Sequence, residues 1–301
     1  MRVGFIGLGA IGWPMAGTLV KGGHDVLAFD IDRERLNRFS TQFACPVAST
    51  LAAVAERDFI ITMLPTGEIV RSVLLHHENA SFRRAVRPGT LVIDMGSSDP
   101  RGTQALGAEL RKLGVELVDA PVSKRAAVFT TTGTPVARGT TIPMVIMIGG
   151  DPGSVARAKP LLADIGDTLF ETGLLGSAHA LKALNNYASA ASHVALAEAL
   201  LAGQRFGLDA KVMIDVINVS TGRSFVSEIL YAKQIENPDF RAGFSIGLFA
   251  KDVRQAADLA AAVGLNAPMA RLTSERWALA RDKLGGTADL TAATPTRDEN
   301  L

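Results

Sequence analysis

The chain has 301 residues, a length typical of two domains of about 150 residues each. Its 31 lysines and arginines balance 30 aspartates and glutamates, which argues against a protein that binds nucleic acid through a basic surface. The single cysteine, Cys45, excludes an internal disulfide framework and a multi-cysteine metal site. No apolar run is long enough to span a membrane, so we expect a cytoplasmic protein with no membrane partner.

The first half of the chain alternates short apolar runs with amphipathic segments. Continuous apolar runs predict strands of a parallel sheet, because helices cover both faces of such a sheet. The predicted strands are Val3–Ile6, Asp25–Asp30, Phe59–Leu64, Leu91–Asp94, Val115–Val118 and Val145–Ile148, and the predicted helices are Ala10–Lys21, Asp32–Phe43 and Arg101–Leu113. The alternation predicts a doubly wound α/β domain, which we place at residues 1–172.

The second half of the chain changes to helical periodicity. Leu174–Phe206 is rich in alanine and leucine and predicts one long helix that ends at Gly207. Further helices are predicted at Ala210–Val219, Phe225–Ile235, Phe249–Val263 and Ala267–Lys283. We therefore expect an all-α domain at residues 173–287, joined to the first domain through the long helix, and a polar, partly disordered tail at residues 288–301. The apolar long helix also predicts an oligomer interface, in a homodimer or a homotetramer.

A glycine-rich motif lies between the first predicted strand and the first predicted helix. Gly7, Gly9 and Gly12 have the GxGxxG spacing of a Rossmann-type dinucleotide-binding domain. In such a loop the first glycine permits a tight turn, the second lets the backbone approach a pyrophosphate, and the third lets helix and strand pack closely. The N–H groups at the start of the helix then face the phosphates.

Asp30 ends the second predicted strand, eighteen residues after Gly12. An acidic residue at this position accepts hydrogen bonds from ribose hydroxyls and repels a 2′-phosphate, which favours NAD over NADP. Arg33 lies nearby and could pair with such a phosphate. The alternative for Asp30 is a cap of the following helix.

Six segments along nearly the whole chain form an ordered set of motifs. They are Gly7–Ala16, Met63–Pro65, Asp94–Ser98, Asp119–Ser123, Gly176–Asn186 and Phe244–Asp252. Together they resemble the β-hydroxyacid dehydrogenase family, to which 3-hydroxyisobutyrate dehydrogenase belongs. The resemblance implies an oxidoreductase with a nicotinamide cofactor, an N-terminal Rossmann-type domain and a helical C-terminal domain.

The resemblance also implies roles for individual residues. The residues implied to contact the cofactor are Gly7, Leu8, Gly9, Ala10, Ile11, Gly12, Asp30, Met63, Leu64, Pro65, Ser97, Phe244 and Lys251. Those implied to contact the substrate are Ser123 and Asn185, and those implied to be catalytic are Lys182 and Asn186.

Lys182 lies in an apolar stretch of the predicted long helix. From the sequence alone it is either a lysine that extends its amine to solvent or a buried base, because burial lowers the pKa of a lysine. The resemblance implies the second role, that of the general base that takes the hydroxyl proton. Asn185 and Asn186 follow at spacings that place them on the lysine's face of the helix. Lys251 has an alternative as an ordinary surface ion pair with Asp252.

The chain departs from the family in the substrate loop. Lys124 and Arg125 stand where the family commonly has two glycines. Their charges suggest a substrate with a second anionic group, as in sulfolactaldehyde reductases of the family. Alternatively one of them faces solvent or a cofactor phosphate. The segment 128–140 is longer than expected, and it either shapes the mouth of the pocket or is inert.

Three functions follow from these patterns. The first is an NAD-dependent enzyme that interconverts a small 3-hydroxy acid and its aldehyde or ketone. The second is a sulfolactaldehyde-type reductase acting on a dianionic or sulfonated three-carbon substrate, and the third is a catalytically silent dinucleotide-binding protein. The histidines form no pair with metal-ligand spacing, so no metal site is expected.

Overall fold

The computed structural model describes residues 1–75, 81–124 and 142–294. The chain divides into two compact units, the first spanning Met1–Lys182 and the second beginning at Ala183. The division falls inside the long helix, whereas the sequence pattern placed the boundary between residues 172 and 173.

Eight strands of the described first unit form one sheet. They are β1 (Arg2–Ile6), β2 (Asp25–Phe29), β3 (Phe59–Thr62), β4 (Leu91–Asp94), β5 (Glu116–Asp119), β6 (Val122–Lys124), β7 (Ile142–Gly149) and β8 (Gly166–Gly173). The first five pair in parallel in the order β2-β1-β3-β4-β5. Strand β7 pairs antiparallel with β5 and β6 and parallel with β8. The parallel part is the predicted Rossmann-type sheet, whose strand order reverses between β1 and β3.

Helices cover both faces of this sheet. In the described part of the first unit they are α1 (Gly12–Lys21), α2 (Arg33–Phe43), α3 (Leu51–Ala55), α4 (Gly67–Leu75), α5 (Ser81–Ala85), α6 (Pro100–Arg111) and α7 (Pro152–Ala163). Strand β4 shows why its apolar run predicts a central strand: Leu91 and Ile93 pack into the core on one face, and Val92 packs into the core on the other. All three side chains are completely buried.

The carboxyl ends of the parallel strands meet along one edge of the sheet. Gly7 follows β1, Asp30 follows β2 and Met63 follows β3. Asp94 and Asp119 are the last residues of β4 and β5. Ligands of open α/β sheets bind at this edge, next to the point where the strand order reverses.

The second unit is helical. A 30-residue helix, α8 (Ser177–Phe206), enters it from the first unit. The other helices of its described part are α9 (Ala210–Asn218), a π-helix (Val226–Tyr231), α10 (Ala232–Glu236), α11 (Ile246–Ala262), α12 (Pro268–Leu284) and a 3₁₀-helix (Leu290–Ala293). The rings of His193, Tyr231, Phe249 and Trp277 form one buried cluster in its core. Across the described residues, none of the helices has the length and hydropathy of a membrane span.

Two segments of this unit differ from the predictions. The helix predicted at Phe225–Ile235 is a π-helix followed by the short helix α10. The predicted polar tail is ordered over its first residues, where Leu290 is buried in the 3₁₀-helix. Asp289 explains the order, because its carboxylate accepts backbone N–H groups of Ala242, Gly243 and Thr291. Although burial alone would raise it, these hydrogen bonds hold the pKa of Asp289 below its ordinary value.

Candidate active site

The glycine loop after β1 has room for a ligand at one glycine and none at the other two. Gly7 has a φ of +102°, and a Cβ there would overlap the carbonyl oxygen of Met63. A Cβ on Gly12 would overlap the carbonyl oxygen of Gly7. Next to Gly9, by contrast, no atom lies within 4 Å of a built Cβ. Gly7 and Gly12 are therefore needed for packing, whereas Gly9 faces open space where a phosphate can approach.

The start of helix α1 borders a cleft of about 370 Å³. Gly9 and Ala10 line one part of it, and the side chains of Arg35 and Arg38 from α2 line another. No side chain of the described residues caps α1 at Ile11. The N–H of Trp13 donates to the carbonyl oxygen of Gly9 and Pro14 has no N–H, so an anion here would rely on the N–H groups that precede Trp13. Together with the open space at Gly9, this arrangement fits the pyrophosphate of a dinucleotide.

Asp30 is 7% exposed and holds the glycine loop in place. Its carboxylate accepts the N–H of Leu8 at 2.7 Å and the N–H of Asp32 at 2.9 Å. The Arg35 guanidinium lies 3.3 Å from the same carboxylate, so in the described residues it is Arg35 that forms an ion pair with Asp30. Helix α2 is capped by Asp32, which accepts the N–H of Arg35. The alternative reading of Asp30 as the helix cap is therefore wrong.

The loops that follow β3 and β4 pack against each other. The carbonyl oxygen of Leu64 leaves no room for a Cβ on Gly96. Asp94 orders the second loop, because its carboxylate accepts the N–H of Gly96 at 3.2 Å and the hydroxyl of Ser98 at 2.8 Å. Ser97 is half-buried between these residues, and on the first loop Met63 and Leu64 are half-buried while Pro65 is exposed.

Asp119 binds the first turn of helix α8. Its completely buried carboxylate accepts the N–H groups of Gly176 and His179, each at 2.8 Å. Burial raises the pKa of the Asp119 carboxyl, and the neighbouring His179 and the backbone N–H groups oppose that rise. Strand β5 thus anchors the start of the helix that carries Lys182.

The predicted substrate loop is described only in part. Ser123 is half-buried in β6 and lies opposite Val145. Lys124 ends the strand opposite Met144. Arg125 and the segment 128–140 lie outside the described residues.

Helix α8 carries Lys182, Asn185 and Asn186. Lys182 is half-buried, so its exposure is intermediate between that of a lysine extended to solvent and that of a buried base. Asn185 is exposed. Asn186 is 6% exposed, one helical turn after Lys182. Within the second unit, its amide donates a 2.7 Å hydrogen bond to Asp252.

Helix α11 supplies Asp252, which accepts the amide of Asn186. Asp252 is 1% exposed, and the amine of Lys251 lies 3.0 Å from its other carboxylate oxygen, with 14% of that lysine side chain exposed. The ion pair of Lys251 and Asp252 is thus largely buried, and the alternative that it is an ordinary surface ion pair is wrong. Phe244 precedes the helix and stacks edge-on against Phe249 at 5.7 Å.

The sequence reasoning missed three residues of this arrangement. The sequence indicates Asp252 only as a partner of Lys251, whereas in the structure it also accepts the amide of Asn186. Arg35 was overlooked in favour of Arg33, which is exposed. His179 was set aside because it pairs with no metal ligand, and only its position three residues before Lys182 pointed to the site. The described residues contain no cluster of histidine, cysteine and carboxylate side chains that could hold a metal ion.

Two family models match consecutive parts of the chain. The NAD-binding domain of 6-phosphogluconate dehydrogenase matches residues 2–173, and the NAD-binding domain of NADP-dependent 3-hydroxyisobutyrate dehydrogenase matches residues 176–296. Together they extend over almost the whole chain.

Relatives of known name match over nearly their full length. The chain is 32% identical to 2-(hydroxymethyl)glutarate dehydrogenase of Eubacterium barkeri, over 97% of this chain and 93% of that protein. It is 30% identical to 3-sulfolactaldehyde reductase of Escherichia coli, over 96% and 93%. The solved structure of 3-hydroxyisobutyrate dehydrogenase from Mycobacterium tuberculosis with L-serine is 30% identical, covers 98% of both chains and has a TM-score of 0.83.

The matched ranges include the residues of the candidate site. The first family model covers the glycine loop and the cleft at α1, and the second covers the helix with Lys182 and Asn186. The chain belongs to the β-hydroxyacid dehydrogenase family and is a nicotinamide-dependent oxidoreductase of CH–OH groups.

Proposed function

We propose that the chain interconverts a small 3-hydroxy acid and its aldehyde or ketone, with Lys182 as the general acid and base. The observation that carries this proposal is the half-buried Lys182 on α8, one turn before an asparagine that is buried and fixed by Asp252. A nicotinamide cofactor, when bound, supplies or accepts the hydride. The residues of the protein then have two tasks, which are to move one proton and to orient the substrate hydroxyl.

Lys182 takes the proton of the substrate hydroxyl during oxidation and returns it during reduction. This requires the neutral amine in one direction and the ammonium in the other. Asn186 orients the hydroxyl. Because one N–H of its amide donates to Asp252, the rotation of the amide is fixed, and its second N–H is available to the substrate.

The residues that would hold the cofactor lie in the first unit. Gly9 and the start of α1 take the pyrophosphate, and Asp30 takes the ribose hydroxyls. We propose NAD as the preferred cofactor, because the Asp30 carboxylate repels a 2′-phosphate. Arg35 opposes that preference, since its guanidinium lies in the same cleft.

The substrate is proposed to be a small anion. Ser123 and Asn185 supply hydrogen-bond donors for the substrate. Lys124 and Arg125, which follow Ser123 in the chain, add positive charge. A sulfonated or dicarboxylate three-carbon substrate is the second candidate, favoured by the 30% identity to 3-sulfolactaldehyde reductase. A silent dinucleotide-binding protein is the third, and the Lys182–Asn186 pair argues against it.

We also propose that the chain assembles as a homodimer or homotetramer. Several apolar side chains of the second unit are exposed, among them Val212, Val216 and Val219, which share one face of the α9 segment. Light scattering of the purified protein measures the mass. A monomer at micromolar concentration contradicts the assembly but leaves the catalytic proposal intact.

Lys182→Ala tests the catalytic proposal. We expect turnover to fall by about 10³-fold, because general acid–base catalysis contributes in that range, while NADH binding stays near wild type. The assay follows NADH absorbance with 3-hydroxyisobutyrate, glycerate, serine, threonate and sulfonated three-carbon compounds, with NAD and with NADP.

The exposed Lys112→Ala is the matched control and should keep full activity. Retained turnover in Lys182→Ala would exclude the lysine as the base. A wild-type protein that binds NADH but turns over none of these compounds would support the silent alternative.

A further inference from the structure

The buried carboxylate of Asp30 is fully occupied by groups of the protein itself. A carboxylate has about four acceptor positions, shared equally between its oxygens. Oδ1 accepts the N–H of Asp32 at 2.9 Å and an N–H of Arg35 Nη1 at 3.3 Å. Oδ2 accepts the N–H of Leu8 at 2.7 Å and faces the same Nη1 at 3.4 Å. These contacts, all between described residues, fill the acceptor positions, so ribose hydroxyls can bind Asp30 only after a donor leaves.

Arg35 is the donor that can leave this carboxylate. Its contacts with Asp30 are longer than those of the two backbone N–H groups, and 40% of its side chain is exposed. Nη2 of Arg35 also lies 3.2 Å from the carboxylate of Asp32, which is 42% exposed. A guanidinium that turns away from Asp30 therefore keeps Asp32 as a partner near the surface. The backbone N–H groups belong to the glycine loop and to the turn before α2, which hold them in place.

The cleft beside Asp30 contains a second arginine. Arg38 follows Arg35 by about one turn of α2, and both side chains line the cleft that begins at Gly9. The guanidinium of Arg38 lies 5.8 Å from the centre of the Trp13 ring. Arginine binds phosphate well, because its N–H groups match the spacing of the phosphate oxygens. A phosphate in this cleft would be attracted by two guanidinium groups rather than one.

We propose that Arg35 is a residue that determines cofactor specificity, because it competes with the ribose for Asp30 and binds the 2′-phosphate of NADP once displaced. This inference rests on the proposed place of the cofactor at Gly9 and Asp30. NAD displaces Arg35 without offering it a new partner, whereas NADP offers it a phosphate. Arg35 therefore weakens the binding of NAD and strengthens that of NADP, which reduces the preference that Asp30 creates.

Calorimetric titration of the full-length Arg35→Ala protein with NAD and with NADP tests the inference. We expect the Kd of NAD to fall about threefold, since losing an exposed ion pair frees the acceptor positions of Asp30. The Kd of NADP should rise about tenfold or more, because a charged hydrogen bond to the phosphate is lost. A purely structural role of Arg35 would move both Kd values in the same direction. Unchanged values, or shifts of the same sign, would overturn the inference.

Arg33→Ala is the matched control. Arg33 is exposed at the start of the same helix and does not line the cleft, so its replacement removes an equal charge from the same region. The ratio of the two Kd values should then stay as in the wild type. A change of this ratio as large as that in Arg35→Ala would reveal a general effect of charge and would refute the specific role of Arg35.

Titration of Asp30→Ser with the same two cofactors separates this inference from the proposed place of the cofactor. We expect the affinity for NAD to change, since the acceptor of the ribose is removed. If Asp30→Ser changes that affinity and Arg35→Ala shows no opposite shifts, only the role of Arg35 is refuted. If Asp30→Ser leaves both affinities unchanged, the place of the cofactor is refuted together with the role of Arg35.

Discussion

The carboxylate of Asp30 has a structural role and a proposed one. It accepts the N–H of Leu8, which shapes the glycine loop, and we propose that it also accepts the ribose hydroxyls of the cofactor. Its place at the end of β2 was predictable from the apolar run that precedes it. The ion pair with Arg35 was not, because it depends on how the first turn of α2 packs beside the strand end.

Replacing Asp30 with serine tests cofactor selection. We expect the ratio of kcat/KM for NAD to that for NADP to fall by at least about tenfold, since removing one repulsive charge is worth on the order of 1–2 kcal/mol. Asp32→Ser is the matched control, because it removes the nearby cap of α2 but leaves Asp30 in place. An unchanged ratio in Asp30→Ser would show that this carboxylate does not select the cofactor.

At the scale of elements, the sequence predicted the parallel strands well and the less regular segments poorly. Strands β3 and β4 are continuous apolar runs, so burial on both faces could be inferred. Strand β8 was missed because its residues Gly166–Gly173 are mostly exposed or half-buried and have no apolar run. The π-helix was read as an α-helix, since its wider turns leave no distinct pattern in so short a segment.

The same limit applies to the candidate site. The spacing of Lys182 and Asn186 along one helix is visible in the sequence. The hydrogen bond from Asn186 to Asp252 joins residues far apart in the chain, so only the packing of α8 and α11 reveals it. Contacts within one element were predictable here, and contacts between elements were not.

Two glycines of the loop between β1 and α1 should respond differently to replacement by alanine. Gly9→Ala should weaken NAD binding by roughly tenfold or more while leaving the thermal stability unchanged, because the added methyl group enters open space that the cofactor would occupy. Gly12→Ala should instead lower the Tm, since its methyl group meets the Gly7 carbonyl. Calorimetric titration with NAD and thermal denaturation measure the two effects. Equal NAD affinity in Gly9→Ala and wild type would place the pyrophosphate elsewhere.

At the scale of the whole molecule, stability depends on pH through a buried histidine. His193 lies in the aromatic core of the second unit, and burial lowers its pKa to about 4. Below its ordinary pKa of 6.5 the unfolded chain binds a proton that the folded chain does not. The stabilising effect of the neutral ring is therefore complete above pH 6.5 and is lost as the pH falls toward 4.

This shift predicts acid sensitivity of the helical unit. Between pH 7 and pH 5 the free energy of its unfolding should fall by about 2 kcal/mol from His193 alone. His193→Gln, which cannot titrate, should be less stable at pH 7 but lose less stability on acidification. Urea unfolding followed by tryptophan fluorescence at both pH values gives the comparison, because Trp277 contacts the ring. Parallel losses in both proteins would contradict the low pKa.

Helix α8 is divided between the two compact units, and Lys182 is the last residue of the first. A gene fragment that stops there would leave the amine of Lys182 on the final, fraying turn of a severed helix. A fragment of the first unit made for separate crystallisation or for fusion to another protein should therefore extend several helical turns beyond Lys182.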